Sequence, residues 1–236
     1  YQVDGIVLTS ATLSSPIAAR CAELGVPVVM FNRYSLEVAV NSVGCDHARG
    51  ARDVADYLVS GGHRRFGYIA GEANSSTNQE RERGFTERLT AKGQALFCRE
   101  QGDYSYASGF EAAGKLLEKT ERPDALFCAN DWMALGAIDR ARQLGLRVPD
   151  DLSVVGFDDT AMAAWPRYAL TTVNQPIGKL VSAAVEVLLD AIESPEEERV
   201  IKLIPGNLVV RGSARVPVEL EPSLVAAPGP VGENHN

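Results

Sequence analysis

Six times in this chain a short apolar run of strand type ends directly on polar residues. Leu152–Phe157 runs into Asp158 and Asp159, Gly5–Leu8 into Thr9 and Ser10, and Val26–Phe31 into Asn32 and Arg33. Phe66–Ala70 leads to Gly71 and the polar stretch Asn74–Thr77, Leu96–Cys98 leads on to Asp103 and Tyr104, and Ala125–Ala129 ends at Asn130 and Asp131. Segments of helical period follow most of these runs. Regular strand–helix alternation predicts an α/β fold with parallel sheets covered on both faces. In an open parallel sheet all strands end on the same side, and ligands sit there. The pattern therefore gathers polar residues on shared rims, as a binding cleft requires.

The alternation is continuous. Strand Val3–Leu8 precedes helix Pro16–Leu24, with Pro at the helix start and Gly25 as its stop. Strands Val26–Phe31 and Val40–Cys45, helix Asp46–Val59 and strand Arg65–Ala70 follow. Next come helix Gln79–Lys92, strand Leu96–Gln101, helix Tyr106–Glu118, strand Ala125–Cys128 and helix Asp131–Leu144. Strand Leu152–Phe157, an irregular stretch, strand Leu170–Val173 and the amphipathic helix Ile177–Glu193 lead to the last two strands, Val200–Ile204 and Asn207–Val210. From Val216 the prolines and glycines leave no periodic face, so 216–236 reads as a disordered tail or a linker remnant.

Several chemistries find no support. A net charge of −8 argues against nucleic-acid contact by this segment, because phosphate binding needs clustered Lys and Arg. The four cysteines show no metal-type spacing and fit a reduced, cytoplasmic setting. No stretch approaches the about 20 apolar residues of a membrane helix, and no basic-then-apolar leader follows Tyr1. Gly109–Lys115 imitates a phosphate-binding loop, but it falls inside a helix whose amides are already bonded, and Leu116 replaces the expected hydroxyl. His47 opens a helix, His63 sits in a turn as a local cap, and His235 lies in the tail. None has a catalytic partner at readable spacing, so the expectation is no catalytic residue, no metal and no cofactor.

Two readings stand for each rim residue. Asp158 either caps the turn after its strand or projects into the cleft to accept hydrogens from a ligand, with Asp159 as the alternative cap. Asp131 reads as the N-cap of its helix, which leaves Asn130 facing the ligand. Arg81 stands at a helix start, where acidic residues are favoured, so it is either a ligand contact or a solvated surface side chain.

At these residues the chain resembles the effector-binding core of the lactose-repressor (LacI/GalR) family of transcription regulators. The resemblance rests on Val3–Leu8, Gly62-His63-Arg64-Arg65, Arg81-x-x-Gly84-Phe85, Leu126–Gly136 around Asn130-Asp131, Gly145–Asp159, Leu170–Pro176 and Leu208–Arg211, in family order. It implies two parallel-sheet subdomains of periplasmic-binding-protein type joined by three crossovers, the first subdomain incomplete at its N-terminus. The implied division is 1–45 with 175–205, and 46–174 with 206–215. A complete core carries two further βα units before Val3, roughly 60 residues at about 30 per unit, and a helix-turn-helix head before those.

The family's effector contacts carry over to Asp158, Asn130, Arg81, Thr77 in the loop before it, Tyr104 as a stacking aromatic, and Asn32 with Arg33 beside it. The implied partners are a small effector (sugar, sugar acid or nucleoside/purine), a second copy as homodimer, and operator DNA reached only through the helix-turn-helix; no membrane and no enzymatic activity are expected. A periplasmic sugar-binding component of a transporter shares the fold and is the alternative.

Overall fold

The computed structural model describes residues 3–9, 16–32, 40–194 and 198–217. In chain order these form β1 (Ile6–Leu8), α1 (Pro16–Glu23), β2 (Val28–Phe31), β3 (Asn41–Cys45), α2 (His47–Ser60), β4 (Phe66–Ala70), α3 (Ser76–Ala91) and β5 (Leu96–Gln101). They continue as α4 (Tyr106–Leu117), β6 (Ala125–Cys128), α5 (Asp131–Gln143), β7 (Ser153–Asp158), a 3-10 turn (Ala161–Ala164), β8 (Thr171–Asn174), α6 (Ile177–Glu193), β9 (Ile201–Ile204) and β10 (Asn207–Val209). Element types follow the sequence reading throughout; the expected tail lies outside the described residues beyond Pro217.

Two sheets result. The first has the order β1-β2-β3-β9, all parallel. The second has the order β10-β8-β7-β6-β4-β5, parallel except for antiparallel β10. Central strands β4 and β6 are buried at every residue, as double coverage by helices demands. Edge strand β5 alternates between half-buried and exposed residues and carries Arg99 and Glu100, charges that discourage pairing with another edge. In β2, Val28 and Met30 pack with Cys21 of α1 on one face, while Val29 joins the main core on the other. That core runs without a break from Val29 and Val43 of the first sheet into the second, where Tyr68, Phe85 and Phe127 pack with ring centroids 5.0–6.2 Å apart.

Among the described residues the chain passes between the sheets three times: after β3 into α2, after β8 into α6, and between β9 and β10. The passes lie side by side, since Asp46 N–H donates to the Ile204 carbonyl at 3.0 Å and Asn207 pairs with Asn174. The arrangement sets the C-terminal ends of both sheets' strands around one crevice.

One boundary departs usefully from expectation. α3 begins at Ser76, three residues before the predicted start, with Ser75 as its N-cap. Thr77 is therefore in the first turn of the helix rather than in a loop. Arg81 stands well inside the helix, so helix-start preferences do not apply to it.

Candidate functional site

Among the described residues, five non-glycine residues have positive φ: Asn32, Tyr104, Asp158, Asp159 and Ala169. The first four stand on the crevice rim. Left-handed backbone is costly for residues with a Cβ and persists where the surroundings enforce it, often at functional sites. Here the enforcement is visible. Asn32 N–H donates to the Val43 carbonyl at 2.6 Å while its side-chain oxygen accepts from Cys45 N–H at 3.1 Å. Asp159 accepts from Arg211 at 2.6 Å and from Asn174 at 3.1 Å, so it ties strand ends together and does not cap a turn. The next residue, Thr160, gives its N–H and hydroxyl to Asp131 at 2.7 and 3.1 Å.

Asp131 corrects a second expectation. The N-cap of α5 is Asn130, whose side-chain oxygen accepts from Met133 N–H at 3.0 Å. Asn130 also donates to the Tyr104 carbonyl at 3.0 Å, so it joins two rim loops and retains one amide hydrogen beyond that bond. Asp131 is fully buried and accepts from Thr172 Oγ1 at 2.5 Å as well as from Thr160. Burial pushes its carboxyl up to about 7, against the pull of those hydrogen bonds. His63 is a third correction: its side chain turns inward, and Nδ1 lies 3.4 Å from Asp124.

Arg81 is buried. Its guanidinium lies over the Phe157 ring at 3.8 Å, donates to the Ala129 carbonyl and to His47 Nδ1, and pairs with Asp158 at 3.4 Å. The planar fork reaches these separated acceptors while lying over the ring, a geometry that the compact ammonium of a lysine does not reproduce. Asp158 is half-buried and accepts from Gln175 Nε2 at 2.6 Å. Burial raises its pKa, opposed by the Arg81 charge and the Gln175 hydrogen bond. Gln175 Oε1 in turn accepts from Asn32 Nδ2 at 2.8 Å. Across the same rim, Tyr104 donates its hydroxyl to Ser75 Oγ at 2.9 Å, and Thr77 Oγ1 lies 2.8 Å from Ser75 Oγ and 3.3 Å from the phenol. The Tyr104 ring lies flush on Gly71, where any Cβ would overlap it.

Two linked groups thus meet at the crevice. Asn32, Asp158 and Arg81 form one; Thr77, Tyr104 and Asn130 form the other. α3 joins them through Thr77 and Arg81, one turn apart. A narrow gap between the sheets, with a cavity volume of about 10 Å³, is lined by Asn32, Ser42, Cys45, His47, Thr77 and Glu80, among others. Arg33 lies outside the described residues. Sequence reasoning missed Gln175 and His47 as parts of this constellation. Both stand at points where the chain changes sheets, a position that brings a side chain between the two rims. A carboxylate, a guanidinium, amides and a phenol arranged this way match the alternating donors and acceptors of a hydroxylated ligand.

Residues 55–214 match the family model for a periplasmic binding protein-like domain. The chain belongs to this family. Within it, the chain is similar to the HTH-type transcriptional repressor CytR of Escherichia coli (strain K12), 32% identical over 216 residues that make up 91% of this chain and 63% of the repressor. It is similar in structure to the transcriptional regulator CelR in complex with cellobiose, at 35% identity and a TM-score of 0.83 over 90% of this chain and 66% of that one. A LacI family transcriptional regulator from Enterococcus faecium with bound ribose gives 26% identity and a TM-score of 0.80 over 92% and 81%. The chain is a LacI-type effector-binding domain, and its relatives are transcription regulators rather than enzymes. It spans less than two thirds of the length of the curated relatives that it matches. No helix among the described residues is long and apolar enough to cross a membrane.

Proposed function

We propose that this periplasmic-binding-protein-like domain senses a small polyhydroxylated ligand, a sugar or sugar-like molecule, in the crevice between its two sheets. The whole protein acts as a cytoplasmic, homodimeric DNA-binding regulator whose operator contacts come from a helix-turn-helix outside this chain. The lobes are 1–45 with 175–205, and 46–174 with 206–215. Asp158, Arg81, Asn130 and Thr77 orient the ligand by hydrogen bonds, Tyr104 supplies an aromatic wall, and Asn32, with Arg33 beside it, engages it from the first sheet. Ligand-dependent closure of the lobes is coupled to the DNA-binding heads, an effect typically worth ~1–3 kcal/mol.

The observation that carries this reading is Asp158 at the end of β7, joined through Gln175 to Asn32 of the other sheet. The cellobiose and ribose complexes of structurally similar regulators support the ligand class.

A thermal-shift screen against pentoses, hexoses, cellobiose, sugar acids and purines tests it. A sugar at a hundred times its Kd raises the midpoint by about 5–10 °C. Asp158→Asn keeps an acceptor for Gln175 but loses the charge, and it abolishes that rise. A full-sized rise in the variant removes Asp158 from the site; a rise with purines alone removes the sugars.

A further inference from the structure

The bonds between Asn32, Gln175 and Asp158 have a direction that is set at both ends. At one end, Cys45 N–H can only donate, and it donates to Asn32 Oδ1. Asn32 must therefore present Nδ2 to its other neighbour, which is Gln175 Oε1 at 2.8 Å. Gln175 then presents Nε2 to Asp158 Oδ1 at 2.6 Å, and an ionised carboxylate can only accept. The fixed donor at one end and the fixed acceptor at the other leave a single arrangement for both amides. The relay starts on β3 of the first sheet and ends on β7 of the second. Gln175 itself stands at the pass between β8 and α6, with its carbonyl accepting Ile177 N–H at 2.8 Å.

We infer that Gln175 is a specificity latch: it bridges the two lobes at Asp158 in the absence of ligand, and a ligand takes its place by donating to Asp158 while accepting from Asn32, so that the bridge between the lobes passes from the latch to the ligand. This inference rests on the cleft being the ligand site. It deepens that reading by naming the chemistry required, since a hydroxyl both donates and accepts, whereas a carbonyl, carboxylate or phosphate oxygen cannot supply the hydrogen that Asp158 needs. Glutamine is suited to the position because its amide carries both functions at the end of a three-bond stem. Glutamate of the same shape would set a second carboxylate against Asp158. Leucine would fill the space and break both bonds.

Cys45 reports on the latch without any ligand. It is buried at the end of β3, where its N–H donates to Asn32 Oδ1, whereas Cys128 is buried at the end of β6 in the second sheet, outside the relay. Alkylation by iodoacetamide, read peptide by peptide, is compared for the wild type, Gln175→Leu and Gln175→Glu. The latch predicts that Cys45 reacts at least about fivefold faster in both variants while Cys128 keeps its wild-type rate, the signature of local opening. Unchanged Cys45 rates overturn the inference. So does equal acceleration at both cysteines, because Gln175 would then only support the fold. Calorimetric titration of the same three proteins with D-ribose and with cellobiose separates the latch from the sugar site beneath it. Absence of heat in all three counts against the sugar reading, while the Cys45 rates still decide for or against the latch.

Discussion

Burial raises the Asp131 carboxyl to about 7, well above the ordinary aspartate range, and that has a definite consequence for stability. A group that holds its proton more tightly in the folded state stabilises it at low pH. That contribution is fully present below the unfolded value near ~4 and is lost as pH rises towards about 7, by ~4 kcal/mol at most. Asp131→Asn removes the titration. The difference in unfolding free energy between wild type and variant is therefore expected to shift in the variant's favour from pH 4 to pH 7 and to level off above, as urea denaturation at each pH would show. A constant difference across that range means that Asp131 does not titrate there. The sequence revealed that Asn130 and Asp131 lie at the rim but assigned the cap to the wrong one. Both are good caps, and only the depth of Thr160 and Thr172 decides which side chain is drawn inside. Asp158, Arg81 and Asn32 were legible from strand ends and family motifs. Gln175 was not, because its role depends on two partners from different sheets.

Apolar runs and glycine stops made the helices and strands readable to within a few residues, since buried parallel strands and amphipathic helices write their periods directly. The exception at α3 has a local cause: Ser75 and Ser76 resemble loop composition, yet Ser75 is extended and caps the helix. The phosphate-loop lookalike in α4 also acquires a physical meaning. Gly109 faces the Met133 backbone of α5, and a Cβ there would overlap it. Its small size serves helix packing rather than ligand binding. Gly109→Ala is expected to separate α4 from α5 and cost about 1–3 kcal/mol of stability. Thermal denaturation checks this, and an unchanged midpoint would show that the helix pair yields freely.

Across the molecule, the three chain passes place the ends of β2, β3, β4, β6, β7 and β8 around one crevice, so side chains from Asn32 to Gln175 converge there. Fold and family were legible because alternation and motif order extend over nearly the whole chain. The bonding across the crevice was not, because it depends on how the two sheets face each other. Hydrogen exchange with and without a saturating sugar from the screen tests most directly whether a ligand bridges the two sheets. A bridging ligand slows exchange on both rims at once, around Asn32 and Cys45 from the first sheet and Thr77, Asn130 and Thr160 from the second. Protection confined to one sheet, or found only away from these residues, would contradict it.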